Sequence, residues 1–366
     1  MEPPLQHFAQ LKDPRLPRTR RHLLCDIIVI AIAAILSGAE GWDDIERYGR
    51  AKRDWLKSFL SLPYGIPSHD TFNRVFQVLD PAELEKHFLQ WVSVIAGRTQ
   101  GEVVAIDGKS LRGAGVGDGK SLVHMVSAWA SANNLVLGQR KTDVKSNEIT
   151  AIPELMRVLE LSGATVTIDA MGCQKQIARQ IVEQKADYIL AVKENQPSLL
   201  ADIKDSFQML EPASVDEQTD CGHGRVETRR SSAVADLSLL DNTEQWTGLR
   251  SIVRIESTRY HKSSGKQEQE TRYYISSLAP DAARLNVAIR QHWGIENKLH
   301  WVLDVDFGED QSRKRAGYAA QNFSLLNRIA LNLIRKDKSK GSVRGKRLQA
   351  AWDDHFLWNL MAGESL

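Results

Sequence analysis

Cysteine is scarce in this chain of 366 residues: Cys25, Cys173 and Cys221 lie far apart and form no Cys-x-x-Cys pair. A disulfide framework is excluded, and such usage suits a reducing, cytoplasmic setting. Cys221-Gly222-His223 could be half of a zinc site, but no second half exists to complete it. An excess of one charge is lacking as well. Forty-eight Lys and Arg against 46 Asp and Glu leave a formal +2, which by itself points to no partner. Long apolar runs are absent. The most apolar stretch, IIVIAIAAIL at 27–36, is ten residues long and follows Asp26. A bilayer span needs about 20, and no small-residue cleavage site follows. A buried helix closed by Gly38 is expected there, not a membrane anchor. No internal repeat is visible.

What is present is an ordinary globular composition, 42% hydrophobic and 26% charged, long enough for two or three domains and a sizeable core. Charge is uneven along it. Residues 12–22 carry five Lys and Arg against one acid, and residues 313–347 carry eleven against Asp337. Local basic clusters of this kind attract a phosphate backbone.

Residues 1–96 read as a helical N-terminal domain. Ser68 is a good N-cap for an amphipathic helix over 68–79, and Asn73 and Arg74 on its face fit a helix entering a DNA groove. Near residue 100 the texture changes. EVVAID (102–107), SLVHMVSAWAS (121–131) and LVLGQRKT (135–142) read as strands, with Asn133-Asn134 as a hairpin turn. A helix over 148–161, a strand over 164–170, a helix over 174–184 and a strand over 186–193 follow. This is an α/β domain opening with a meander, taken to span 97–340. Within it, residues of about 215–280 alternate polar and apolar and read as a β-rich insertion, with 251–260 and 270–278 as strands around a turn at 261–267. Pro280-Asp281 then opens a long helix through about Leu303. Residues 341–366 read as a basic, aromatic tail with Trp352, Phe356 and Trp358.

Three carboxylates stand out by position. Asp107 ends the first strand with Gly108, Lys109 and Arg112 behind it, Asp169 ends the strand TVTID, and Glu296 lies in the helix IRQHWGIENKLHW. Each has an ordinary alternative: Asp-Gly is a strong turn dipeptide, and a helical Glu commonly pairs with Lys or Arg. If the first and fourth strands are neighbours, Asp107 and Asp169 finish close together, and adjacent carboxylates need a cation or a shared proton. Oxygen ligands without clustered His or Cys favour Mg²⁺ or Mn²⁺. A third carboxylate would complete a two-metal site suited to phosphoryl transfer. Spacing alone leaves Glu309 and Asp310 competing with Glu296.

The segments VVAIDGKSLRG, KSNEITAIPELM, VTIDAMGCQKQIA, DYILAVKENQPSL, HGRVETR and HWGIENKLHWVLDVDFGED together resemble the DDE-class transposases of bacterial insertion sequences, in their H-repeat-associated subgroup. The resemblance runs from about residue 11 to 335. It implies a ribonuclease H-like catalytic core with a β-rich insertion, behind a helical N-terminal domain. It also implies Asp107, Asp169 and Glu296 as the catalytic, metal-holding triad, selecting Glu296 over Glu309, with two Mg²⁺ ions for which Mn²⁺ can substitute. The implied activity is cleavage of double-stranded DNA at the element's terminal repeats, then joining of the freed 3′-hydroxyl to target DNA, by a protein dimeric on DNA and not membrane-bound. In the cytoplasm it would be nucleoid-associated when on DNA. A nuclease that cleaves without joining and a catalytically silent DNA-binding remnant are the competing readings. Lys193, Arg225, Arg290 and His292 are the expected phosphate contacts. Broader relatives carry Tyr, Arg and Lys around the glutamate where this chain has Ile289, His292 and Leu303, with Lys298 and His300 nearby. His124 is expected to pack in the sheet, and the tryptophans to be mostly core.

Overall fold

The computed structural model describes residues 7, 8, 10–96, 99–116, 121–142, 148–222 and 224–362. His223 and the Lys145-Ser146-Asn147 start of KSNEITAIPELM lie outside them.

The first helix, α1 (Leu24–Leu36), is apolar on every side and is correspondingly enclosed, with all but Cys25 buried. Gly38 ends it at φ +104°, and Ala39 N–H donates to Ala34 O at 2.9 Å. A positive φ of this kind favours glycine. Asp26, buried in the first turn, accepts from Leu62 N at 3.0 Å, and burial pushes its carboxyl above the usual range. Helices α2 (Trp42–Ala51), α3 (Arg53–Lys57), α4 (His69–Val78) and α5 (Pro81–Ala96) complete the N-terminal helical region. Ser68 caps α4 as its sequence predicts, accepting from Thr71 N. Phe72, Val75 and Phe76 turn inward from α4, while Arg74 is exposed.

Nine strands form one sheet in the order β3-β2-β1-β4-β5-β9-β8-β7-β6. They are β1 (Val103–Val116), β2 (Ser121–Ala130), β3 (Leu135–Lys141), β4 (Thr165–Ile168), β5 (Asp187–Val192), β6 (Ser214–Gly222), β7 (Arg225–Val234), β8 (Ser251–His261) and β9 (Gln267–Ser276). Only β1–β4 and β4–β5 are parallel; the other neighbours are antiparallel. The parallel pairs need crossovers, supplied by α6 (Glu148–Arg157) and α7 (Lys175–Glu183). Helix α8 (Pro197–Met209) leads from β5 to β6.

One expectation is corrected. The strand expected to stop at Asp107 continues to Val116, so Asp-Gly is not a turn: Asp107 pairs with Ser127, and Gly108 with Val126. What ends at residue 106 is the parallel ladder, because β4 stops at Ile168. The strands of 214–276, read as a β-rich insertion, continue the core sheet: β9 pairs with β5 from Ile189↔Ser276 to Val192↔Tyr273. The stretch beyond 341, read as basic and aromatic, folds as α12 (Val343–Trp352) and α13 (Asp354–Ala362), burying Phe356 and Leu357, with Trp358 against Phe59 at 4.9 Å. Trp352 is exposed.

The long helix expected from 280 is interrupted. Helix α9 (Ala282–His292), capped by Asp281, gives way to a π-helical turn over Ile295–His300, and then to α10 (Trp301–Val305). Helix α11 (Ala319–Lys336) joins the helical region to the sheet. Asn322 donates to Phe76 O and Leu79 O at the C-terminal end of α4, at 2.8 Å each, and Asn332 satisfies both Val136 N and Val136 O on the outermost strand β3. Those strand groups would otherwise stand open at a sheet edge. The buried apolar residues run without a break from α1 to the sheet.

Candidate active site

Strand alternation decides what meets what. Side chains of Asp107 and Lys109 share one face of β1, and Gly108 and Ser110 the other. Parallel register sets Ala105 beside Thr167, which places Asp107 and Asp169 next along on the same face. Helix α9 packs over β1 and β4, and the π turn that follows brings Glu296 to Asp107. Such turns widen a helix locally and recur at functional sites.

Among the described residues, Asp107, Glu296 and His300 offer ligand atoms that all lie within 4.8 Å of one another. His300 Nδ1 is 3.4 Å from Glu296 Oε2 and 3.6 Å from Asp107 Oδ2, and its Nε2 is buried without a hydrogen bond. Burial first, and the Glu296 carboxylate second, push the Asp107 carboxyl well above the usual range. The His300 imidazole first of all holds Glu296 below its own. One proton, or one cation, is therefore needed between the two carboxylates.

Asp169 stands outside that group. Its Oδ1 accepts from Ala170 N, capping the short turn Ala170–Gly172, and lies 3.3 Å from Lys193 Nζ. His292 ties the two regions together: its Nδ1 is 3.0 Å from Thr167 Oγ1, and burial pushes its pKa down to about 4. At neutral pH it is therefore an uncharged hydrogen-bonding group and not a cation. Beside Asp169 and Lys193 opens a cavity of about 400 Å³, reaching His292 and Trp293.

The residues that flank Asp107 in sequence have other work. Lys109 is buried between Asp304 (2.5 Å) and Asp310 (3.0 Å), and exposed Arg112 lies 3.5 Å from Asp310. Lys109 is thus committed to this ion-pair cluster, while the Arg112 side chain stays open to solvent. Glu309, the competitor of Glu296, is sealed in the interior against Arg328 at 2.7 Å. His124 is half-buried and links Ser110 (2.9 Å) to Glu148 (2.6 Å) on the opposite face of β1. Arg225 and Arg290 converge on Glu227, at 3.9 and 3.3 Å. His300 is the residue that sequence reasoning passed over as a member of the group. The signal was its i, i+4 spacing from Glu296.

Fold and site together define an α/β protein whose sheet and covering helix bring two acids from distant segments into contact. A family model described as "Transposase DDE domain" matches residues 98–333, and one described as "DDE_Tnp_1-associated" matches residues 5–92. The chain belongs to this transposase family. It is 40% identical to "H repeat-associated putative transposase YhhI" of Escherichia coli K12 over 372 residues, covering 99% of this chain and 98% of that protein. It is 41% identical to "Putative transposase YncI" of Escherichia coli O157:H7, covering 98% and 94%. A shorter protein, "Inactive transposase YbfQ" of Escherichia coli K12, is 42% identical over 71 residues, 19% of this chain. No helix among the described residues is long and apolar enough to cross a membrane.

Proposed function

We propose that the chain is an insertion-sequence transposase that cleaves DNA at the ends of its element and joins the freed 3′-hydroxyl to target DNA, with Asp107, Asp169 and Glu296 as the catalytic carboxylates. The observation that carries the reading is the contact of Asp107 with Glu296. Two carboxylates built against each other by a sheet and a helix fit a divalent-cation site better than a structural role, since among the described residues neither has Lys or Arg as its ion-pair partner. The strand order β3-β2-β1-β4-β5, antiparallel and then parallel, supports a ribonuclease H-like core.

Asp107 and Glu296 would hold Mg²⁺ or Mn²⁺, with Asp169 contributing once released from Lys193. Bound there, such ions supply activation of the attacking oxygen and charge stabilisation at the phosphate. His300 orients the Glu296 carboxylate from the buried side. His292, neutral and fixed to Thr167, holds the start of the π turn over β4. Lys193 is placed to exchange Asp169 for a DNA phosphate. A dimer on DNA is the natural assembly for joining two ends.

The test is an assay of purified protein with Mg²⁺ and DNA carrying an element end, with Asp107→Ala, Asp169→Ala and Glu296→Ala run alongside. Cleavage and joining should both occur, and both should vanish in each variant. Cleavage without joining would make the protein a nuclease. Binding without cleavage, in Mg²⁺ and in Mn²⁺, would make it a silent DNA-binding remnant.

A further inference from the structure

We propose that the cleft between α9 and the outer strands β7–β9 is a phosphate-binding site, and that it holds a phosphodiester of the DNA strand presented to Asp107 and Glu296; the second half of this statement rests on the DNA-processing reading above. The cleft follows from strand alternation. Arg225, Glu227 and Arg229 share one face of β7, where antiparallel register sets Arg259 of β8 opposite Glu227, and Arg272 of β9 opposite Ile255. Helix α9 crosses that face and adds Arg290. These six side chains line a cavity of about 150 Å³, closed on one side by Trp293 and Asn297. Those two residues flank Glu296 in the chain, so a strand lying in the cleft is led directly to the acidic group.

Charge inside the cleft is unbalanced. Glu227 is 4% exposed and is shared among Arg259 at 3.1 Å, Arg290 at 3.3 Å and Arg225 at 3.9 Å. At the rim, Glu270 bridges Arg272 (2.7 Å) and Arg259 (3.4 Å), and Asp220 lies 3.6 Å from Arg290. Five guanidinium groups thus face three carboxylates. Arg229 is the sharpest case. It is 5% exposed, lines the cavity, and its guanidinium makes no hydrogen bond among the described residues. A guanidinium carries five donors, accepts nothing and stays charged at neutral pH. Burying one without an acceptor is costly. Burial and the neighbouring Arg290 both weaken its hold on its proton. An anion with several acceptor oxygens in a compact volume removes both costs, and a phosphate meets guanidinium forks in the geometry they favour. Arg272 is stacked over Trp293 at 4.2 Å, which fixes the fork that faces the cavity.

Two measurements on the full-length chain test this. In the first, thermal unfolding is followed in inorganic phosphate and in chloride at matched ionic strength, for the wild type, Arg229→Gln and Arg225→Gln. Phosphate should raise the midpoint of the wild type and lose that effect in Arg229→Gln. In the second, binding of a labelled duplex is titrated across salt. Each variant should lower affinity and reduce the salt slope by about 0.9, one phosphate contact. Arg225, 43% exposed, can be replaced without opening the interior, so its slope reads the cleft even if Arg229→Gln folds poorly. Phosphate that stabilises all three proteins equally, or none, overturns the site. Arg229-dependent phosphate stabilisation with an unchanged DNA slope in both variants means a free phosphate compound occupies the cleft, and overturns the DNA assignment. A wild type that binds no DNA defeats the functional reading, while the first measurement still judges the cleft.

Discussion

Glu309→Gln and Glu296→Gln should have very unequal effects on stability, although the two acids lie only 13 positions apart in the chain. Glu309 and Arg328 are 2% and 0% exposed, and Arg328 Nη1 donates to Glu309 Oε1 at 2.7 Å, to Ser324 O at 3.0 Å and to Ser324 Oγ at 2.6 Å. Taking the charge from Glu309 leaves a guanidinium enclosed with only neutral acceptors. Breaking a buried pair from one side costs roughly 3–5 kcal/mol. At about 2 °C per kcal/mol for a chain of this size, that lowers the thermal midpoint by roughly 6–10 °C. Arg328→Met should cost a similar amount, because it strands the carboxylate. Glu309→Leu with Arg328→Met should recover most of the loss, since an apolar pair of similar volume has no charge to desolvate. Glu296 is a different case. Its side chain is 50% exposed and shares a proton with Asp107, so Glu296→Gln gives up only a contact open to solvent and should move the midpoint little. The assay is thermal unfolding followed by circular dichroism at neutral pH without divalent cations. Glu309→Gln within about 2 °C of the wild type, or Glu296→Gln falling equally far, would refute the division of roles between the two acids.

Further perturbations probe the frame around the site. Lys314 lies 3.5 Å over the Phe323 ring and donates to Glu40 O at 2.8 Å; burial pushes its pKa from 10.5 down to about 8. A folded-state pKa below the unfolded one penalises folding while the group is charged. The stability of the wild type relative to Lys314→Met should therefore rise as pH increases from about 8 to 10.5, read by urea unfolding at several pH values; a flat difference across that window would contradict it. Gly113→Ala drives a methyl into the backbone carbonyls of Asp310 and Ser312, which cannot swing aside. A loss of about 1–3 kcal/mol is expected in the same assay, and a wild-type midpoint would show that the approach is looser. Arg347, 5% exposed, donates to Ile35 O at 3.0 and 2.9 Å, at the C-terminal end of α1. Arg347→Ala should cost roughly 1.5–3 kcal/mol. Arg347→Lys should recover little of it, since a point charge cannot reproduce the fork.

The order of elements was legible because it depends on local pattern. The enclosed α1, the Ser68 cap, the strands read at 251–260 and 270–278 and found at 251–261 and 267–276, and the alternation of helix and strand after residue 148 all show in the chain, because burial imposes a period of 2 or 3.6 on it. What periodicity cannot carry is pairing. Nothing local says that β9 will find β5 and extend the core sheet, or that β1 will run past Asp107 once its parallel neighbour has stopped. The break in α9 was hidden for a related reason. Trp293, Ile295 and Leu299 keep a nearly helical spacing, and one extra residue per turn is invisible at that length, although Gly294 marks the place.

Charge was the least legible property, and the reason bears on function. A count along the chain finds its longest basic run at 313–347, yet four of those groups are committed to the fold. Arg328 neutralises Glu309, Lys346 lies 2.7 Å from Asp337, Arg347 closes α1, and Lys314 sits over Phe323. A basic run on α11 and α12 is thus partly what joins the helical region to the sheet. The cleft arginines of β7–β9 never form a run, because alternation sends every second residue to the other face and the hairpins scatter the rest between Arg225 and Arg272. Only pairing assembles them, on the same face as α9 and beside Glu296. A search by sequence density therefore passes over the proposed cleft. The discriminating comparison is charge-neutralising substitution in the two places: Lys338→Gln with Lys340→Gln, both exposed, against Arg225→Gln with Arg290→Gln. If the sheet extension guides the strand, the second pair should reduce the salt slope of DNA binding by about 2 and the first by much less. Equal slopes would return the DNA path to the basic run.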